Sequence, residues 1–304
     1  MEYDLIIPFF NDQKYLVRFQ KQVNNQHLLP KNLIFIDDCN KDKNLKKKIR
    51  EIINKKIKII FLRNSTNLGP IKSINKGFKF LQSEFFRISS TDDFMDPELA
   101  LKSLKVLKKY NKKPYIFSDL VCLNEQTHKE IKIRYNFLNK ESYTSKEVLD
   151  IFKKYQFKIY HNSIFFRTSF FLKDNIFNDL YGDRCDMLNL YYMSFNNGFC
   201  YTPGYLSKYV FRKGQFGQIK KNIYIYREIE LIHKLKKKLF SNLIKANLLY
   251  EISPKAIFET FKYKNKILNL SWLFRSIKYH TWKKIRFLLP SWLISVTFRI
   301  TTKL

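Results

Sequence analysis

The sequence predicts an α/β fold: a mostly parallel sheet with helices on both faces, followed by a basic helical C-terminal region. Three observations carry that expectation. Strand-length runs rich in Ile and Phe alternate with amphipathic stretches of helical length over the first 125 residues. The runs are apolar throughout rather than alternating, as expected of strands covered on both faces. Two of them also end in adjacent carboxylates.

The strands, in order, are YDLIIPFF (3–10), NLIFIDD (32–38), IKIIFLR (57–63), FFRISS (85–90) and YIFSDLV (115–121). Residues 45–53, 71–81 and 98–110 have helical periodicity, and Pro97 stands just ahead of the last, a favoured first-turn position. Residues 126–219 are less regular. Thr144 and Glu147 have the spacing of a capping box, so a helix starts there. Residues 162–171 read as a strand, and 183–195 as a helix with Met187, Leu190, Tyr191 and Ser194 along one face. Residues 204–218 hold three of the seven glycines and read as a turn-rich loop. Beyond 220 the chain reads as basic helix, with Ile267, Leu270, Phe274, Ile277, Ile285 and Leu288 on one stripe and Pro290 breaking it. The expected organisation is a donor-side half over 1–125, a second half of the same domain over 126–219, and a basic amphipathic region over 220–304.

Of the 304 residues 45% are hydrophobic and 17% aromatic, enough for a sizeable core. The net charge is +31, and residues 220–304, with nineteen Lys/Arg against four Glu, carry nearly half of it. Such a localised field points to an anionic surface or a polyanion. The four cysteines lie far apart, which argues against a zinc site and for a reducing compartment. Glu2 and the short apolar run after it do not make a secretory signal, and no run approaches the ~18 apolar residues of a spanning helix. The expected location is cytoplasmic. No G-x-G-x-x-G follows the first strand and no G-x-x-x-x-G-K-[ST] occurs, which excludes the usual glycine-rich phosphate cradles.

Ligands of open α/β sheets sit beyond the carboxyl ends of the strands. Asp37–Asp38 follow the second strand and Asp92–Asp93 the fourth. Either pair alone reads equally well as a helix N-cap. Two pairs at equivalent strand ends point instead to a bound cation. Paired carboxylates suit Mg²⁺ or Mn²⁺, which share oxygen ligands with phosphates.

IIPFFN (6–11), IFIDD (34–38), NLGPIKSINKG (67–77) and SSTDDFMDP (89–97) together resemble, in order and spacing, the donor-site motifs of family 2 glycosyltransferases. The resemblance implies a Rossmann-like GT-A fold and inverting transfer from a nucleotide sugar, UDP-sugars being favoured. It implies that the backbone of Pro8 and Phe9 lies beside the base, that Asp38 bonds the base, and that Asp37 lies near the ribose. Asp92 and Asp93 match the motif in which one Asp binds the metal and the other the ribose or sugar; Asp93 is favoured as the principal ligand. Ile74 stands where many members have an Arg, so Lys72, one turn earlier, either supplies that charge or is a solvated cation. Asp183 matches the general base, with Asp186 as the alternative and Gly182 replacing a Glu of the pattern. Arg212 and Lys213 match a basic loop that contacts the diphosphate. The acceptor implied is a growing cell-surface polysaccharide or lipid-linked saccharide at the inner membrane face, where the basic tail would dock. The rival readings are an inactive member of the fold and a polyanion-binding protein. No zinc-finger, RNP-like or KH-like pattern is present, so no nucleic-acid partner is expected.

Overall fold

The structure, a computed structural model, describes residues 1–155, 157–173, 177, 185–212 and 237–246. The chain divides into two compact units, Met1–Val148 with Lys158–Lys220, and Leu149–Phe157 with Lys221–Leu304. Most of the second unit, including the basic stripe and Pro290, lies outside the described residues. What is described there includes helix α8 (Lys237–Lys245), with Leu239 and Leu243 buried at i, i+4 spacing.

The first unit is built on β1 (Tyr3–Phe9), β2 (Asn32–Asp37), β3 (Lys58–Arg63), β4 (Phe85–Ile88), β5 (Phe94–Met95), β6 (Tyr115–Asn124), β7 (Glu130–Ile133), β8 (Ser142–Tyr143), β9 (Phe165–Arg167) and β10 (Phe199–Phe211). The sheet order is β3-β2-β1-β4-β9-β6-β10-β5, with β7 paired to β6 and β8 to β10. β3, β2, β1 and β4 are mutually parallel, and β10 runs parallel to β6. The antiparallel β9 sits between β4 and β6, so both of those strands point the same way.

Alternate residues of the strands face opposite layers. Leu5, Ile7, Phe9, Leu33 and Phe35 pack with Leu16, Phe19 and Val23 of α1 (Gln13–Asn24), Leu45 and Ile49 of α2 (Leu45–Ile52), and Leu99 and Leu104 of α4 (Leu99–Lys109). The opposite face carries Ile6, Ile34 and Ile36 against α3 (Pro70–Phe78). There a Cβ on Gly77 would stand 3.1 Å from both Ile36 Cδ1 and Ile6 Cγ2, so the helix lies directly on the sheet. Helices on both faces are therefore as expected.

Two expectations are corrected. Residues 162–171 do not form one strand. Only Phe165–Arg167 pairs, after a 3-10 turn at His161–Ser163. Thr168 then donates its N–H to Glu84 O and its hydroxyl to Ser83 O, which turns the chain off the sheet into α6 (Thr168–Lys173). Nor are residues 204–211 a loop: they finish β10. Gly204, with φ +119°, supports an irregular register between Thr202 and Ser207 rather than ending the strand. The capping box is formed, with Thr144 N donating to Glu147 Oε2 (2.8 Å) and Glu147 N to Thr144 Oγ1 (3.3 Å), at the head of α5 (Ser145–Tyr155).

The irregularity in β10 is held by Asp119 of β6. Its buried carboxylate accepts Gly204 N (3.0 Å), Tyr201 OH (2.8 Å) and Tyr135 N (3.0 Å). Removing it strands three donors in the interior. Asp119→Ala is expected to lower stability by about 3 kcal/mol, read as a fall in the urea midpoint at unchanged slope.

Candidate functional site

The carboxyl ends of β1, β2, β3, β4, β6 and β10 share one edge of the sheet, which is where open α/β sheets bind ligands. Both paired carboxylates lie at this edge, on strands flanking β1 on either side.

Asp37 and Asp38 are buried and turned towards the protein. Asp37 Oδ1 accepts Asn40 N (2.9 Å) and Asn40 Nδ2 (2.8 Å), while Oδ2 accepts Arg63 Nε at 2.6 Å. Asn40 Nδ2 also reaches Phe9 O, and its Oδ1 accepts Asn11 N, so Asp37 fixes the loop after β1 through Asn40. Asp38 Oδ1 accepts Asn64 Nδ2 and Leu68 N, both at 2.8 Å, and its Oδ2 accepts Gly69 N at 2.9 Å. It clamps the turn that launches α3, where Gly69 has φ +81°. The two oxygens of Asp37 thus hold Asn40 and Arg63.

The tip after β4 is different in kind. Asp92 and Asp93 are nearly sealed from solvent. Asp92 accepts Ser90 Oγ on one oxygen and Arg212 Nε, at 2.6 Å, on the other. Its backbone carbonyl takes Arg18 Nη2 at 2.6 Å. Asp93 Oδ1 accepts Val210 N from β10 at 3.0 Å. Burial, and then the neighbouring charge of Asp92, push the Asp93 carboxyl up to about 8, despite the Val210 bond and the charges of Arg87 and Arg18. Burial also brings the guanidinium of Arg87, on β4, down to about 10.

A third carboxylate, Asp12, joins this group. It is also buried, and Arg212 Nη2 lies 2.9 Å from its Oδ1. Burial holds Asp12 above the ordinary carboxylate value, Arg212 opposing and Asp92 reinforcing the shift. Sequence reading misses Asp12, a lone Asp outside both carboxylate pairs. It also misses Phe10. Phe9 points into the core against Phe35, with ring centroids 5.1 Å apart, so the aromatic presented at the edge is Phe10, 41% exposed. Pro8 and Phe9 end β1, and Phe9 O accepts Asp38 N and Asn40 Nδ2.

Lys72 is exposed on α3 and Ile74 is buried, so position 74 offers no cation. Asp183 and Lys213 lie outside the described residues. Asp186 is in the first turn of α7 (Cys185–Asn197) and accepts Met187 N. Its charge is felt by Tyr209, as are those of Asp92 and Asp93, and by His161, whose pKa burial lowers.

The donor set fits a hard divalent cation in a limited way. No three His, Cys, Asp or Glu side chains converge as a closed cage among the described residues. Two adjacent carboxylates do converge, one of them a buried Asp93 whose hydrogen bond comes from a neutral N–H. Such a seat suits an ion that completes its shell with water and phosphate oxygens.

The profile of Glycosyl transferase family 2 matches residues 4–171, more than half of the chain. An uncharacterized glycosyltransferase of Methanocaldococcus jannaschii is 27% identical over 157 residues, covering 51% of this chain and 50% of that protein. An uncharacterized protein of the same organism is 35% identical over 79 residues, 26% of this chain and 33% of that one. This chain thus spans about half the length of the first of these relatives. Among solved structures, S. aureus TarS 1-349 in complex with UDP-GlcNAc aligns with TM-score 0.60 at 16% identity, over 91% of this chain and 80% of that one. The same protein in complex with UDP aligns with TM-score 0.56 at 14% identity, over 92% of each chain. The shared fold is the GT-A type, and the chain belongs to glycosyltransferase family 2.

Proposed function

We propose that the protein transfers a sugar from a nucleotide sugar, a UDP-sugar in the first instance, to a hydroxyl of a cell-surface polysaccharide or lipid-linked saccharide, with inversion. The observation that carries this reading is the buried Asp92–Asp93 tip at the carboxyl edge, with Arg212 reaching it from the end of β10. The binding of UDP-GlcNAc and UDP by a protein of the same fold supports the donor class. The acceptor, and a place at the inner membrane face held by the basic tail, rest on family membership and on the charge of residues 220–304.

In this reading the nucleoside lies across the end of β1, with the exposed ring of Phe10 offered to the base. Asp38 acts there through the turn it clamps, and Lys72 projects from α3 on the same side. Asp92 and Asp93 hold Mg²⁺ or Mn²⁺, which offsets the charge that develops on the leaving diphosphate. Arg212 and Lys213 contribute positive charge to the same oxygens. The acceptor hydroxyl is a weak nucleophile until a carboxylate beside it accepts its proton as attack proceeds. That base is Asp183, with Asp186 as the alternative. Asp183 is the family's position, and Asp186 shares the electrostatic environment of Tyr209 with the β4 tip. One base opposite the leaving group gives a single displacement.

Melting curves with UDP-, GDP-, dTDP- and CMP-sugars, with and without Mn²⁺, test the donor and the seat together. A stabilising shift for UDP-sugars that requires Mn²⁺ is expected, together with its loss and at least a hundredfold fall in turnover in Asp93→Ala. Shifts indifferent to metal, or equal for Asp93→Ala, would reject the reading. Phe10→Ala is expected to weaken UDP binding about tenfold, from a stacking contribution of about 1–3 kcal/mol, measured by calorimetry.

Asp93 also predicts a pH dependence of the metal-free protein. Its folded pKa of about 8 lies above its ordinary value of 3.8. Between those values the folded state therefore holds a proton that the unfolded chain has released. Stability should fall as pH rises from about 4 to about 8. Asp93→Asn should flatten that fall and melt higher than wild type at pH 8 without metal.

A further inference from the structure

Asp12 occupies the N-cap position of α1 and does not cap it: its side chain makes no bond to the helix's leading N–H groups. Asp normally favours that bond. Here the buried carboxylate is turned onto Arg212, with Nη2 2.9 Å from Oδ1 and 3.2 Å from Oδ2. The same guanidinium presents Nε to Asp92 Oδ2 at 2.6 Å. It lies over the ring of Tyr15, 5.5 Å from the centroid, and the Tyr15 hydroxyl bonds Glu125 at the end of β6. Arg18 approaches Asp92 separately, through the backbone carbonyl, with its guanidinium 4.0 Å over Phe94. Side chains from the ends of β1 and β6 and from α1 thus seat one arginine, with its planar fork bridging two carboxylates.

We propose that Asp12 is a positioning residue that docks Arg212 on Asp92, making Arg212 the resident cation of the β4 tip, in exchange with a divalent cation. The proposal rests on the reading of Asp92–Asp93 as the metal seat and adds to it an internal competitor. Arg212 bonds Asp92 through Nε and Asp12 through Nη2, so it can release the first carboxylate while keeping the second. A free divalent ion then has to displace the guanidinium from Asp92 and gives it no new partner. An ion arriving with a nucleoside diphosphate brings phosphate oxygens that accept the displaced Nε–H. Metal and nucleotide should therefore bind with positive coupling that depends on Arg212, and the coupling must be reciprocal. The seat is guarded against bare cations and opens to the cation–diphosphate pair.

The test is Mn²⁺ binding followed by the EPR signal of the free ion, with and without UDP, on the full chain and on Arg212→Gln, Asp12→Asn and the double variant. Melting curves in the same buffers confirm that each is folded. Arg212→Gln should bind Mn²⁺ alone about tenfold more tightly and UDP in the presence of Mn²⁺ about tenfold more weakly. Asp12→Asn should weaken UDP binding in the wild-type background and not in the Arg212→Gln background. If Arg212→Gln takes up free Mn²⁺ no better than a wild type that binds Mn²⁺ with UDP, the exchange is wrong and the metal seat stands. If Asp12→Asn has equal effects in both backgrounds, Asp12 does not act through Arg212. If no variant binds Mn²⁺ under either condition, the seat itself is wrong and the exchange falls with it.

Discussion

Asp12, Asp92 and Asp93 are buried together at the carboxyl edge of the sheet, and the cost of burying them, added to by the charge of Asp92, is the constraint around which the edge is arranged. Charges that repel weakly in water repel strongly where water is excluded. The relief comes from several elements. Arg212 arrives from the end of β10, Arg18 from α1, and Arg87 from β4 beneath Asp93. Val210 adds a backbone N–H. Arg212 and Val210 are brought to the tip because β10 runs parallel to β6 past its irregular stretch, which is what Asp119 and Gly204 secure. The polar tip depends on strand register two strands away.

The two Asp pairs look alike as text and differ as chemistry. Asp37–Asp38 meet Asn40, Arg63, Asn64 and two backbone N–H groups, all contributed by loops at the same edge. That pair is a hub that shapes loops. Asp92–Asp93 receive fewer neutral donors, and of the two Arg212 bonds Asp92. The first pair is filled by five neutral donor bonds and Arg63, whereas the second has two neutral donors, Ser90 and Val210, and Arg212 on Asp92. The distinction depends on who donates, and donors such as Asn40 and Arg63 come from positions that pair spacing alone does not identify.

The parallel half of the fold was legible because strands buried on both faces are apolar along their whole length. β1, β2, β4 and β6 are nearly seamless runs of buried residues. The sheet beyond β4 was not legible, because β9 contributes three residues and follows a 3-10 turn, and because β10 carries Gly204 where glycine ordinarily signals a loop. At the site, Asp92, Asp93 and Arg212 were found from motif order, and they do come together. Which of the adjacent Phe9 and Phe10 rings faces the core depends on strand parity at the end of β1, which the motif alone does not give. Asp12 belongs to neither carboxylate pair, and only the fold brings it to Arg212.

The net charge of +31 sharpens the question of why the tip needs its own arginines. Long-range positive charge does not neutralise a buried carboxylate. Among the described residues, some lysines pair at the surface, as Lys14 with Glu125 or Lys48 with Asp42 do, and ions in solution screen exposed charges beyond about 10 Å. The excess can raise the local concentration of anionic molecules near the protein. Inside the edge, however, only a cation in contact counts. Arg212 meets that need with a planar group that stays charged at any relevant pH and reaches two acids at once, which an ammonium on a flexible stem does less well. The surplus of lysine outside and the shortage of cation inside are thus compatible. In the proposed function they act on different steps, the first on the approach of an anionic donor and the second on its capture.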